Sequence, residues 1–211
     1  MSKPSPIVSP LAGLVGAVLA VSTGAILVRW SEAPSSVAAF YRVVFTMVPL
    51  LPVAVWRYRE AFARMQARDV AFAALSGIAL AIHFATWFES LAWTSVAASV
   101  TLVQSQPVFV ALGAWGLLHE RVTRRTGVGI AVAVTGMVAM SFGDLLGGVF
   151  VGARPVYGNG LALLGAVTAA GYVLAGRALR QRLALIPYVV VVYSVCAAVL
   201  LGIVVGQGAP L

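Results

Sequence analysis

The chain has 211 residues, of which 61% are hydrophobic and only 9% charged, and its mean hydropathy is +1.00. A soluble domain carries about a quarter charged residues, so the composition excludes an ordinary soluble fold and specifies a multi-span membrane protein. The formal net charge of +8 does not mark a nucleic-acid binder, because the basic residues lie in short connections and form no basic face or aromatic-basic stripe.

The first apolar run, 10–29, is too long for a cleaved signal, lacks a small-residue cleavage site and is followed by more spans. It carries Ser22 and Thr23. The second run, 37–56, carries Tyr41 and Arg42, and the third, 70–89, carries His83, Trp87 and Glu89. The fourth, 97–118, lies in a stretch without charge from Leu91 to Leu118, yet holds Gln104, Gln106 and Pro107. The fifth, 127–142, is short for a hydrocarbon layer of ~30 Å unless flanking residues extend it. The sixth, 157–176, carries Thr168 and Tyr172, and the seventh, 186–205, carries the single cysteine, Cys196. These runs are apolar all round and do not alternate, which rules out a barrel. The expected fold is an all-α polytopic helix bundle of about seven spans. One cysteine allows no internal disulfide and no cysteine-based metal cluster, and no cofactor is expected.

Basic residues set the expected orientation. With the N-terminus in the cytoplasm, the inner connections hold Lys3, Arg57, Arg59, Arg64, Arg68, Arg121, Arg124, Arg125, Arg177, Arg180 and Arg182. The outer side holds Arg29 and Arg154, and Arg42 falls inside a span. This asymmetry predicts a cytoplasmic N-terminus. The expected location is the plasma membrane, with the lipid bilayer and a small molecule as partners and no nucleic acid.

A shift of 147 residues aligns Gly13, Leu14, Gly24, Leu27, Tyr41, Val43 and Val44 with Gly160, Leu161, Gly171, Leu174, Tyr188, Val190 and Val191. The sixth and seventh runs therefore read as a second copy of the first two. An odd number of spans separates the copies, so the second enters the membrane inverted, as in secondary transporters. The expected organisation is a tail at 1–9, a five-helix repeat at 10–142 and a partial second repeat at 157–211.

Polar residues inside a membrane are costly and call for a reason. At 1.5 Å per residue, Arg42 lies about 8 Å below the outer edge, His83 about 9 Å and Gln104 roughly 10 Å. Ser22 and Thr23 fall at a similar level. This predicts one polar layer that lines a shared cavity. Ser76, Ala79, His83, Trp87 and Ser90 share a helical stripe. Gln106 is two residues from Gln104, so both cannot face one cavity, and one of them is expected to bond a neighbouring helix. Pro107 lacks an N–H and leaves the Val103 carbonyl without its usual partner, which predicts a kink. Arg42 either faces the cavity or snorkels to the headgroups; His83 and the glutamines either serve the cavity or hold helices together. Glu89, near the outer interface, is the candidate for proton coupling. Thr168 and Tyr172 give the sixth run its own polar face.

Known chemistry motifs are absent. There is no G-x-x-x-x-G-K-[ST], H-E-x-x-H or G-x-S-x-G, which argues against ATP-driven transport and intramembrane catalysis. The sole lysine, Lys3, lies outside the bundle and cannot form a retinal Schiff base. A secondary transporter is the leading reading, a membrane sensor or an inactive transporter fragment the runner-up, and an intramembrane enzyme the weakest.

The stretch "SLAWTSVAASVTLVQSQPVFVALGAWGLLHERVTRRTGVGIAVAVTGMVAM", Ser90 to Met140, resembles the end of an EamA domain. A small-residue turn (Thr94-Ser95-Val96-Ala97) leads into a helix with a central proline (Pro107), then a Glu-Arg pair (Glu120, Arg121) and a Gly-rich helix. "AFYRVV" and "ALAIHFATWFESL" are similar to the family's second and third helices. The resemblance implies the drug/metabolite transporter superfamily, with ten helices in two inverted five-helix repeats, many members exporting amino acids and other small metabolites. It also implies that His83 and Trp87 look into the central cavity. Seven helices are expected where the family has ten. The surface that the other three would cover is expected to face lipid or a second copy of the chain, and transport by an isolated monomer is not expected.

Overall fold

A computed structural model describes residues 10–120, 123–146 and 152–210. The expected tail at 1–9, Arg121 and Leu211 lie outside the described residues, as do the side chains of Ser22 and Arg29. Every regular element among the described residues is a helix: α1 (Pro10–Trp30), α2 (Ser35–Arg57), α3 (Arg59–Ala63), α4 (Ala67–Trp93), α5 (Val96–Val103), α6 (Gln106–Leu118), α7 (Arg124–Leu146), α8 (Pro155–Leu179) and α9 (Leu185–Gly206). The all-α polytopic class is thus borne out. Among the described residues, five segments are long and apolar enough to cross a membrane, where about seven were expected: α2, α4, α5 with α6, α8 and α9.

Local chemistry explains the boundaries. Pro155 opens α8 in its first turn, where a missing N–H costs nothing. Ser95 caps α5, its side chain accepting from the Ala98 N–H at 3.0 Å. His119 ends α6 in the left-handed region, φ 56°, a position more often held by glycine. The short α3 was not expected from sequence; its exposed Arg64–Glu60 pair, 3.1 Å apart, adds little stability in water.

The fourth expected helix is two helices. Pro107 cannot donate to the Val103 carbonyl, and the chain tightens around the gap. Ser105 N–H bonds the Leu102 carbonyl at 3.1 Å and Val108 N–H bonds the Ser105 carbonyl at 2.9 Å, both three residues back. The Ser105 hydroxyl also donates to Leu102 O at 2.6 Å. The expected kink is therefore a break at Gln104–Ser105.

α4 is the central helix. It packs most extensively against α8, then against α9, while α9 also packs on α2 and α8 on α5 and α6. Lipid tails are as apolar as leucine, so such contacts rest on close packing of small residues and on interhelical hydrogen bonds. Ala73, Gly77 and Ala81 line α4, and Gly158, Ala162, Gly165, Ala166 and Ala169 line α8. At Gly77 a Cβ would lie 2.6 Å from the Val192 carbonyl oxygen of α9, so only glycine admits that approach. The main core joins Ala39 and Val43 of α2, Leu80, Phe84 and Phe88 of α4, and Val192, Cys196 and Leu200 of α9. Large apolar residues point outward on most helices, including Phe45, Leu112 and Val132, as fits a lipid solvent.

Side-chain contacts define two ends. At the far end Thr94 Oγ1 donates to Asn159 Oδ1 at 2.9 Å, and Ser36 Oγ donates to Gln207 Oε1 at 2.6 Å. At the arginine-rich end Arg177 pairs with Glu120 at 2.8 Å and Arg182 with Asp69 at 3.7 Å. α4 and α8 therefore run antiparallel, as do α2 and α9.

Candidate functional site

The helix stripe on α4 carries the polar interior. Ser76 Oγ lies 2.8 Å from Tyr188 Oη of α9. Seven residues on, His83 Nδ1 lies 2.8 Å from the Gly165 carbonyl oxygen of α8. A carbonyl oxygen only accepts, so Nδ1 carries a proton, and in the neutral ring Nε2 keeps its lone pair. One turn further, Trp87 stacks on His83 with ring centroids 5.7 Å apart. Ser90 closes the stripe, 2.6 Å from Ser99 Oγ of α5 and donating to Trp87 O at 2.6 Å. Ser76, His83, Trp87 and Ser90 are all buried.

Arg42 reaches this stripe from α2. Its guanidinium carbon lies 5.5 Å from the Phe84 ring centroid and 5.6 Å from that of Trp87. A Cβ at Gly24 of α1 would come 3.0 Å from Arg42 Nη1. The guanidinium thus sits between α1, α2 and α4 and does not snorkel away from the bundle. Trp87 Nε1 is buried without a hydrogen-bond partner.

Other expected layer residues are placed differently. Gln104 is exposed at the α5–α6 break, because the break rotates it off the continuous helical face that sequence spacing assumed. Gln106 and Pro107 instead line a cavity of about 430 Å³ with Ala114, Glu120, Val173 and Arg177. Thr23 is exposed, and its hydroxyl donates to Leu19 O at 3.1 Å. Tyr41 is exposed at the surface of α2, stacked on Phe45 at 5.7 Å. Thr168 donates within α8 to Leu164 O at 2.9 Å. Tyr172 stacks on Tyr188 at 6.5 Å and lines a second cavity of about 520 Å³ with Arg180. Glu89 accepts from Trp93 Nε1 at 2.7 Å, which ties it to the far end of α4. Both cavities lie in the half of the bundle nearer the arginine-rich end. No group of three or more histidine, cysteine or acidic residues gathers among the described residues.

Sequence reasoning passed over Gly165, Ser99 and Asn159. Nothing in their types marks them, since each acts as the partner of a residue on another helix. Tyr188 was visible only as the repeat counterpart of Tyr41.

A helical bundle that crosses the membrane repeatedly and holds arginine, histidine and tryptophan among apolar helices is the architecture of a polytopic membrane protein with an internal polar site. The EamA-like transporter family matches residues 9–142, well over half of the chain, and the chain belongs to that family. It is a multi-pass membrane transporter for a small molecule. No curated protein and no solved structure matches the chain.

Proposed function

We propose that the protein is a secondary transporter that exports small metabolites, amino acids or related compounds among the candidates, by alternating access at the plasma membrane. The observation that carries this reading is the Arg42–Trp87–His83 cluster, a polar site held by four helices where lipid-facing residues would suffice for a scaffold. Alternating access requires one end to be closed while the other is open. The far-end contacts Thr94–Asn159 and Ser36–Gln207 serve as the closed gate, and the cavities beside Gln106 and Tyr172 as the vestibule from the arginine-rich end. That end faces the cytoplasm on the basic-residue count. In this reading residues 10–142 form the first repeat, and α8 and α9 begin the inverted second.

The sensor reading differs in one outcome. Flux of labelled metabolites into vesicles containing the purified chain separates the two. Saturable uptake supports transport, and ligand binding without uptake of any tested metabolite supports a sensor.

A further inference from the structure

Arg42 stands seven residues inside α2, about 10 Å from the helix start at 1.5 Å per residue. Ion pairs among the described residues join Arg64 to Glu60, Arg177 to Glu120 and Arg182 to Asp69; none involves Arg42. Its contacts are the faces of Phe84 and Trp87, and no hydrogen bond from its guanidinium to a described residue is formed. A guanidinium offers donors and no acceptor, and a charge left alone in an apolar bundle is costly unless something pairs with it. His83 and Tyr193, ionisable side chains that interact with it electrostatically, supply no carboxylate. The second orphan is Trp87 Nε1–H, a donor buried without a partner on the ring that the guanidinium covers. Buried donors without partners are rare in folded proteins and ask for a ligand. Both orphans are donors, and what they lack is an anionic acceptor.

The charge balance narrows that anion. One guanidinium, with no second lysine or arginine at this level among the described residues, neutralises one negative charge. A dianionic phosphate would leave a charge uncompensated. An α-amino acid would bring an ammonium group, and no aspartate or glutamate among the described residues faces it there; Glu89 is held by Trp93. The walls are the rings of Phe84 and Trp87, which suit an apolar or aromatic body. We infer that Arg42 and the Trp87 indole N–H form the anchor for the carboxylate of a monoanionic substrate with an apolar body, in preference to a zwitterionic amino acid. This rests on the transport reading above. Arg42 is half-exposed and offers its donors in the present arrangement. Trp87 Nε1 is covered and reaches the anion when α2 and α4 move apart.

Three solutes that share a phenylethyl unit test this: 3-phenylpropionate, L-phenylalanine and phenethylamine. Binding of labelled 3-phenylpropionate to the purified full chain in phosphatidylcholine nanodiscs is measured, with the other two and phenyl phosphate as competitors. Saturable binding is expected, with L-phenylalanine and phenyl phosphate at least about tenfold weaker and phenethylamine without effect, because a charge-assisted hydrogen bond is at stake. Arg42→Gln should weaken binding by at least about tenfold, and Trp87→Phe by a few-fold, since it removes one neutral donor and keeps a ring. If Arg42→Gln does not fold, Arg42→Lys, which keeps the charge and loses the fork, should weaken binding by a few-fold. Phenethylamine competing as well as 3-phenylpropionate, unaltered binding in a folded Arg42→Gln variant, or no binding of any of the three overturns the inference. Flux is measured separately in proteoliposomes. Binding of 3-phenylpropionate with no flux of it upholds the carboxylate anchor and overturns the transport reading. Saturable flux of phenethylamine that ignores Arg42→Gln upholds transport and overturns the anchor.

Discussion

His83 on α4 and Gly165 on α8 meet through a hydrogen bond of 2.8 Å between Nδ1 and the backbone carbonyl. The approach is close: a Cβ at 165 would lie 3.2 Å from Thr86 Oγ1 and 3.4 Å from the His83 carbonyl, so any larger residue there makes its neighbours give by a few tenths of an ångström. The same bond fixes the tautomer and leaves Nε2 as an acceptor in a site otherwise made of donors. His83→Phe keeps a ring against Trp87 and removes the interhelical bond, so that the Gly165 carbonyl keeps only partners within α8, among them the Thr168 hydroxyl at 3.1 Å. It should destabilise the bundle by about 1 kcal/mol, measured by reversible unfolding in mixed detergent. Unchanged stability would show that the bond contributes nothing to the α4–α8 contact.

Ser76 and Tyr188 form the corresponding tie between α4 and α9. Tyr188 is almost fully buried, so its hydroxyl has few other partners. Tyr188→Phe and Ser76→Ala should each cost about 1 kcal/mol. The double variant should cost less than their sum, because both changes remove the shared Ser76–Tyr188 bond, while the longer bond from Tyr188 Oη to the Tyr172 carbonyl, 3.4 Å, is lost in Tyr188→Phe alone. Strict additivity in the double-mutant cycle would place the two hydroxyls in separate interactions.

Gly77 and Gly160 make a steric contrast. A Cβ at Gly77 meets the Val192 carbonyl at 2.6 Å and Val195 Cβ at 2.8 Å, whereas nothing lies within 4 Å at Gly160. Gly77→Val should abolish monodisperse protein in detergent, and Gly160→Ala should leave the yield unchanged. Equal yields would mean that α4 and α9 do not pack as closely as described.

Much of this fold is legible in the sequence, for reasons that differ between elements. Apolar run length places the five candidate spans found among the described residues to within a few residues, because a bilayer fixes the length of an apolar run that crosses it. Pro107 announces the disturbance in the fourth of them. It does not show that the chain resolves it as a break, which depends on Ser105 bonding back to Leu102. Depth along the helices brings Arg42 and His83 to one layer, and both contact Trp87, the next residue of the His83 stripe; depth alone does not place every residue of that layer. It fails for Gln104 because depth says nothing about azimuth once the helix is interrupted. Tyr41 and Thr23 lie at suitable depths but on outward faces. Interhelical partners such as Asn159 or Ser99 depend on packing, which no single-helix pattern contains.

The basic residues of the α2–α4 connection predict that it faces the cytoplasm. A single cysteine in place of Ala63, an exposed position of α3, should react with an impermeant thiol reagent only after cells are opened, while buried Cys196 stays silent. Labelling of Ala63→Cys in intact cells would invert the topology and with it the assignment of the two ends.

The central claim is that the buried polar layer is the route of a transported solute. It is tested most directly by counterflow in proteoliposomes, comparing wild type with His83→Ala at matched levels of folded protein. At protein-to-lipid ratios high enough for copies of the chain to associate, the account predicts saturable counterflow of at least one small metabolite by the wild type, and a loss of about tenfold or more in the variant, the scale of a buried hydrogen-bonding group removed from a binding site. Equal counterflow by the two proteins would contradict it.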